Sequence, residues 1–211
     1  MSREKILILC GLLLIVIMAI SFGNAYDRAT WLLEVAPVLI ALPILALTYR
    51  RFPLTGLLYG LIFVHALVLI VGGTYTYARV PLGFWIQDVL ALERNPYDKI
   101  GHFMQGLVPL LVTREILLRG AFVSGPRMTN FLSVCVALAI SAFYELIEWW
   151  AALAIGQDAD AFLGTQGDPW DTQSDMFFAM IGAIAGIALL SRWQDRQMRV
   201  LALNRTGCGG A

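Results

Sequence analysis

The sequence predicts an all-α fold, a polytopic helical membrane bundle of six transmembrane helices with both termini in the cytoplasm. The first ground is composition: 59% of the 211 residues are hydrophobic and only 14% charged, where a soluble domain carries about a quarter charged residues. Mean hydropathy is +0.72. The second is spacing, because a helix crosses a hydrocarbon core about 30 Å thick with about 20 mostly apolar residues. Six stretches come close to that: 6–22, 31–48, 54–72, 102–118, 130–150 and 169–191. The third is charge placement. With the N-terminus inside, eleven of the fifteen basic residues fall on the inner side, leaving Arg28, Arg79, Arg94 and Lys99 outside, as cytoplasmic retention of Lys and Arg requires. Acids do the opposite: Glu4, Glu115 and Asp195 lie inside and the other twelve outside.

The segments between apolar runs are too short for a second core, so residues 1–200 are expected to form a single membrane domain and 201–211 a short cytoplasmic tail. Net charge is zero, and no basic run marks a nucleic-acid partner. The bilayer is the expected partner.

In the first span, Lys5, an apolar core and the small residues Gly23 and Ala25 resemble a signal peptide, but the run is long for one and reads as an anchor. Cys10 and Cys135 lie in apolar runs and Cys208 in a Gly-rich tail, so all three are expected as free thiols. His65 in the third span reads as a buried, satisfied histidine. After it, Tyr75 and Arg79 stand in a polar turn. Both are candidates for substrate binding, with Arg79 suited to a phosphate or carboxylate or to pairing with an outer acid. The outer loop 73–101, between the third and fourth spans, is long for a structureless connection. Its Phe84, Trp85 and Leu90 suit a short helix lying on the membrane.

The fourth span opens with Asp98, His102 and Gln105 at helical steps of four and three, hence on one face. The fifth ends in Glu145 and Glu148, also on one face, beside Trp149 and Trp150. Two such acids either snorkel to the interface with the aromatic belt or share a cation or proton. Before the sixth span, Asp168 and Pro169 read as N-cap and first helical residue. Asp171 then lies in the first turn and Asp175 on the same face. Gly182 and Gly186 form a small-residue pair for a close helix contact, within the chain or in a dimer.

The inferred topology brings His102, Gln105, Glu145, Glu148, Asp171 and Asp175 to one depth from three helices. His102, Glu145, Glu148 and Asp175 are the expected catalytic residues. Arg79, Tyr75, Gln105 and Asp98 are the expected substrate contacts. His102, Glu148, Asp171 and Asp175 are the expected ligands of a divalent metal ion such as Mg, Mn or Zn. The chain has no His-Glu-x-x-His, Walker A, CxxC or Gly-x-Ser-x-Gly signature. The inner halves of the spans offer almost nothing polar.

The stretches Gly72-Gly73-Thr74-Tyr75-Thr76-Tyr77-Ala78-Arg79 and Arg94-Asn95-Pro96-Tyr97-Asp98-Lys99-Ile100-Gly101-His102-Phe103 resemble the YjdF-type family of bacterial inner-membrane proteins. Glu145 to Trp149 and Phe162-Leu163-Gly164-Thr165-Gln166-Gly167-Asp168 through Asp175-Met176 extend that likeness over most of the chain. The resemblance implies a multi-pass protein of the cytoplasmic membrane and no particular reaction. More distantly, Asp98-Lys99 with His102, the Glu of the next span, and Asp171 with Asp175 are similar to the core pattern of VanZ-like membrane proteins. That implies an envelope role by analogy, although the outer loop here is much longer.

Three functions follow. One is a membrane-embedded enzyme acting on a lipid or envelope-precursor substrate, which requires a bound cation and an opening toward lipid. Another is a small proton- or cation-coupled transporter, which requires a continuous polar path. The last is a structural or assembly factor whose polar cluster locks helices together.

Overall fold

The structure, a computed structural model, describes residues 1–155 and 166–207. Cys208 and the stretch Phe162-Leu163-Gly164-Thr165 lie outside the described residues. Among the described residues there is no strand. The helices are α1 (Arg3–Gly23), α2 (Arg28–Thr48), α3 (Gly56–Tyr75), α4 (Pro81–Leu90), α5 (Tyr97–Arg119), α6 (Pro126–Ile155), α7 (Asp171–Ala185) and α8 (Ser191–Gly207), the last two joined by a π-helical turn, Gly186–Leu190. Cys10 and Cys135 are free thiols.

Five helical runs are long and apolar enough to span a bilayer: α1, α2, α3, Pro126–Ala154 of α6, and the continuous Asp171–Leu203. Their outward faces carry exposed Leu12, Ile40, Phe131, Phe143 and Leu189, as lipid-facing surfaces do. The fourth predicted span is α5, whose 23 residues reach about 34 Å but carry charge at both ends. It is the most enclosed helix of the bundle. Its Leu107, Val108, Leu110 and Leu111 are buried with Leu58 of α3, Ala137 of α6 and Ala183 of α7. A second core joins α1, α2 and α3 through Leu14, Met18, Trp31, Val35 and Ile70. The short helix expected in the outer loop is α4, with Phe84, Trp85 and Leu90 exposed.

Local chemistry sets the helix starts. Ser2 caps α1 by accepting from the Lys5 amide, and Asp27 caps α2 by accepting from Thr30 N at 2.7 Å. That contact with Thr30 holds the Asp27 carboxyl below its usual range. Thr55 precedes α3 without capping it, because its hydroxyl and amide both go to the buried Glu115 carboxylate at 2.8 and 2.9 Å. The expected N-cap role of Asp168 is not observed. Helix α7 starts three residues later, after Trp170, and the Asp168 carboxylate instead accepts from Trp170 N at 2.8 Å in a turn. Pro169 is correspondingly outside the helix.

The expectation of apolar inner halves is also corrected. At the C-terminal end of α5, buried Arg114 donates to Asn130, Gln194 and Asp195 at 2.9, 3.0 and 2.7 Å. Buried Glu115 accepts from Thr55 and, at 2.6 Å, from Arg119. Gln194 closes the cluster on the Leu111 carbonyl at 2.7 Å. Arg114, Glu115 and Arg119, counted among the inner charges, belong to the last turns of α5. With every polar group partnered, this cluster pins α3, α5, α6 and α8 together.

Helices α5 and α7 run in parallel and touch at the backbone. A Cβ on Gly106 would lie 1.7 Å from the Ala179 carbonyl oxygen, and one on Gly182 only 1.9 Å from that of Phe103. The small-residue face thus serves an internal crossing. We expect Gly106→Ala to force the two helices apart and lower stability by about 1–3 kcal/mol, while Gly60→Ala, where a Cβ meets nothing within 4 Å, should be neutral or slightly stabilising. Thermal unfolding of the detergent-purified variants checks this, and equal melting temperatures would refute the close crossing.

Candidate functional site

The parallel crossing sets the N-terminal ends of α5 and α7 side by side, and each opens with acids where the helix dipole favours negative charge. Asp98 belongs to the first turn of α5 and Asp171 to that of α7, with Asp175 one turn on. Two cations hold these acids together. Lys99 Nζ lies 2.5 Å from Asp175, 3.0 Å from Asp171 and 3.8 Å from Asp98. Arg94, in the segment before α5, bridges Asp168 at 2.5 Å and Asp171 at 2.7 Å. Burial works against the Arg94 charge, but the hydrogen bond and charge of Asp171, then the charge of Asp168, outweigh it and raise its pKa.

His102 is the centre of the cluster and is buried. Its Nδ1 lies 3.0 Å from Gln105 Oε1. An amide oxygen only accepts, so Nδ1 carries the hydrogen and the lone pair of a neutral imidazole sits on Nε2. That Nε2 faces two carboxylates, Asp98 Oδ1 at 3.3 Å and Asp175 Oδ2 at 3.6 Å. Acceptors turned on one another need a proton or a cation between them. The three ligand atoms lie within 4.8 Å of one another. The 3.3 and 3.6 Å edges match the edge of about 3.4 Å of a tetrahedral site with metal–ligand bonds of about 2.1 Å. Glu145, on α6, places Oε1 3.9 Å from His102 Nδ1, and that oxygen is buried with no hydrogen-bond partner.

Beside His102 lies a cavity of about 120 Å³, room for several water molecules. Asp98, His102 and Gln105 line it together with His65, Glu34 and Glu148. His65 Nε2 is buried without a hydrogen-bond partner, contrary to the expectation of a satisfied histidine. Tyr77 also lines the cavity. It sits in the turn after α3 at φ 48°, next to Thr76 at φ 53°, and only glycine at positions 72 and 101 leaves room for its ring. Burial, with the charges of Glu34 and Asp98, pushes the Tyr77 phenol well above its usual value, so it remains a donor.

Of the residues singled out from sequence, His102, Gln105, Asp98, Asp175 and Glu145 converge. Glu148 is turned to the cavity rather than to His102, and Asp171 is taken up by Arg94 and Lys99. Asp98 thus stands in the candidate metal group where Glu148 and Asp171 had been expected. Tyr75 is exposed, as is Arg79, whose guanidinium stacks 3.8 Å above the Tyr26 ring. Neither lines the cavity. Glu34 and Tyr144 were not expected at the site, and Lys99 was expected only as an outer charge and as part of the VanZ-like pattern. Glu34 does leave a signal in the sequence, as a lone acid inside an apolar span.

The family model described as a predicted membrane protein (DUF2238) matches residues 6–196. Over 180 residues the chain is 63% identical to the inner membrane protein YjdF of Escherichia coli (strain K12), covering 85% of this chain and 86% of that protein. These findings support the first resemblance drawn from sequence and leave the VanZ-like one without support. No solved structure matches.

Lys99 is only 12% exposed in its side chain and serves three acids. Removing one partner of a buried ion pair is strongly destabilising, so Lys99→Met should cost about 3–5 kcal/mol. Adding Asp175→Asn to Lys99→Met should recover part of that loss. Additive effects in the double-mutant cycle would refute the coupling.

Proposed function

The chain belongs to this family of membrane proteins, a multi-pass protein of the bacterial inner membrane, and we propose that it is a metal-dependent enzyme acting on a lipid-linked or envelope substrate. Asp98, His102 and Asp175 hold one divalent cation in this reading. The observation that carries it is His102 Nε2 facing two carboxylates, Asp98 at 3.3 Å and Asp175 at 3.6 Å, in a group of three ligand atoms within 4.8 Å of one another. A bound cation would supply Lewis acidity at the cavity wall. Gln105 orients the imidazole through Nδ1, as the outer partner of a metal-bound histidine does. Arg94 holds Asp168 and Asp171, and Lys99 holds Asp171 and Oδ1 of Asp175, which leaves Asp175 Oδ2 toward His102. Glu145, with an unpartnered oxygen, is placed to take or return a proton beside His102.

Transport is less well supported. Between Gln105 and Arg114 the enclosed helix α5 presents the buried Leu107, Val108, Leu110 and Leu111, an apolar layer separating the cavity from the cluster at the other end. A site confined to one face of the bundle suits an enzyme better than a conduit. With the N-terminus in the cytoplasm, the topology drawn from the basic residues puts that face at the outer leaflet.

Elemental analysis of the detergent-purified protein tests the proposal. We expect one Zn, Mn or Mg per chain, retained in Glu148→Gln and lost in His102→Ala with Asp175→Asn. Protein that is metal-free after purification in supplemented buffer, or metal that persists in the double variant, would overturn it.

A further inference from the structure

The cavity has a second wall that coordination does not use. Glu34 and Pro37 come from α2, and Ile140, Tyr144 and Glu148 from α6. Yet α2 packs on α3 and α1, and α6 on α5 and α7, while no extended contact joins α2 to α6 among the described residues. The seam between them reaches the lipid-facing surface, because Ile140 lines the cavity and is also 41% exposed.

One side chain spans the seam. The Tyr144 hydroxyl lies 3.2 Å from the Leu33 carbonyl and 3.0 Å from Glu34 Oε2. In a regular helix the Leu33 carbonyl would accept from residue 37, but that residue is proline and has no amide hydrogen. Pro37 therefore creates the free acceptor on which Tyr144 docks, and it weakens the ladder of α2 at the same level.

We infer that the α2–α6 seam is the port through which a membrane-partitioned amphiphile enters the cavity sideways, with the Tyr144 contact to Leu33 and Glu34 as its latch. This rests on the enzymatic reading and names the class of its substrate. The cavity wall carries Asp98, Glu34 and Glu148 and neither Lys nor Arg, so the entering end is small and neutral or cationic. An anionic end would find no Lys or Arg at the port to pair with.

The test uses the full chain with Cys10, Cys135 and Cys208 replaced by Ala and Leu69→Cys added, since Leu69 lines the cavity. It is reconstituted in vesicles of phosphatidylethanolamine and phosphatidylglycerol. A dodecyl maleimide, which partitions into the bilayer, should label Leu69→Cys faster than an impermeant sulfonated maleimide. Tyr144→Phe should raise the dodecyl rate about two- to tenfold, as loss of one net hydrogen bond allows. Ile140→Trp, which fills an exposed position at the mouth, should lower it. Equal labelling by the sulfonated reagent, or a dodecyl rate that neither variant changes, would overturn the port. Metal content of the same proteins separates the two ideas: metal absent with dodecyl labelling intact defeats the enzyme reading alone, and metal present with water-borne labelling defeats the port alone.

Discussion

The backbone contact between α5 and α7 is the constraint on which the rest depends. Gly106 and Gly182 remove the side chains that would hold two helices about 8–10 Å apart, so two parallel helices approach until Cβ atoms would overlap carbonyl oxygens. Parallel packing at that distance brings both N-termini to one end. It draws Asp98, Asp171 and Asp175 into a space that three acids cannot share without cations, and Lys99 and Arg94 supply them. The His102 environment follows from the same crossing, since one of its carboxylates comes from each helix.

The two ends of α5 answer different demands. At its C-terminal end Arg114, Glu115, Asn130, Gln194 and Thr55 satisfy one another, and a fully partnered buried network rigidifies a bundle. At the N-terminal end partners run out: the Glu145 carboxylate and His65 imidazole each keep a buried atom without one, beside a cavity. Unpartnered groups in a membrane interior are costly. Their gathering at one end, with a complete network at the other, supports the proposed site at the first and leaves the second to hold the helices in place.

Proline and glycine place the remaining parts. Gly72 and Gly101 admit the Tyr77 ring between α3 and α5, which lets two residues adopt left-handed backbone and turns the chain toward α4. Pro37 frees a carbonyl on α2 that Tyr144 of α6 then uses. The Tyr77 ring also packs with Val80 and Tyr97, and both effects bear on where the cavity lies and how it is closed.

Much of this protein was determined by its sequence alone. Hydropathy has a length scale set by the bilayer, so five of the expected spans and the short helix α4 were legible, and a period of 3.6 residues sufficed to put Asp98, His102 and Gln105 on one face of α5. Only the tertiary structure decided which acids share a partner. Asp171 and Asp175 lie on one face of one helix, yet Asp171 pairs with Arg94 and Lys99 while Asp175 also faces His102. Glu34 meets Tyr144 from 110 residues away. Periodicity specifies faces within a helix, but the rotation and depth of one helix against another are set by side-chain volumes at their crossings. Here those volumes are the missing ones, at Gly106 and Gly182, and nothing local to either glycine names the carbonyl that it meets.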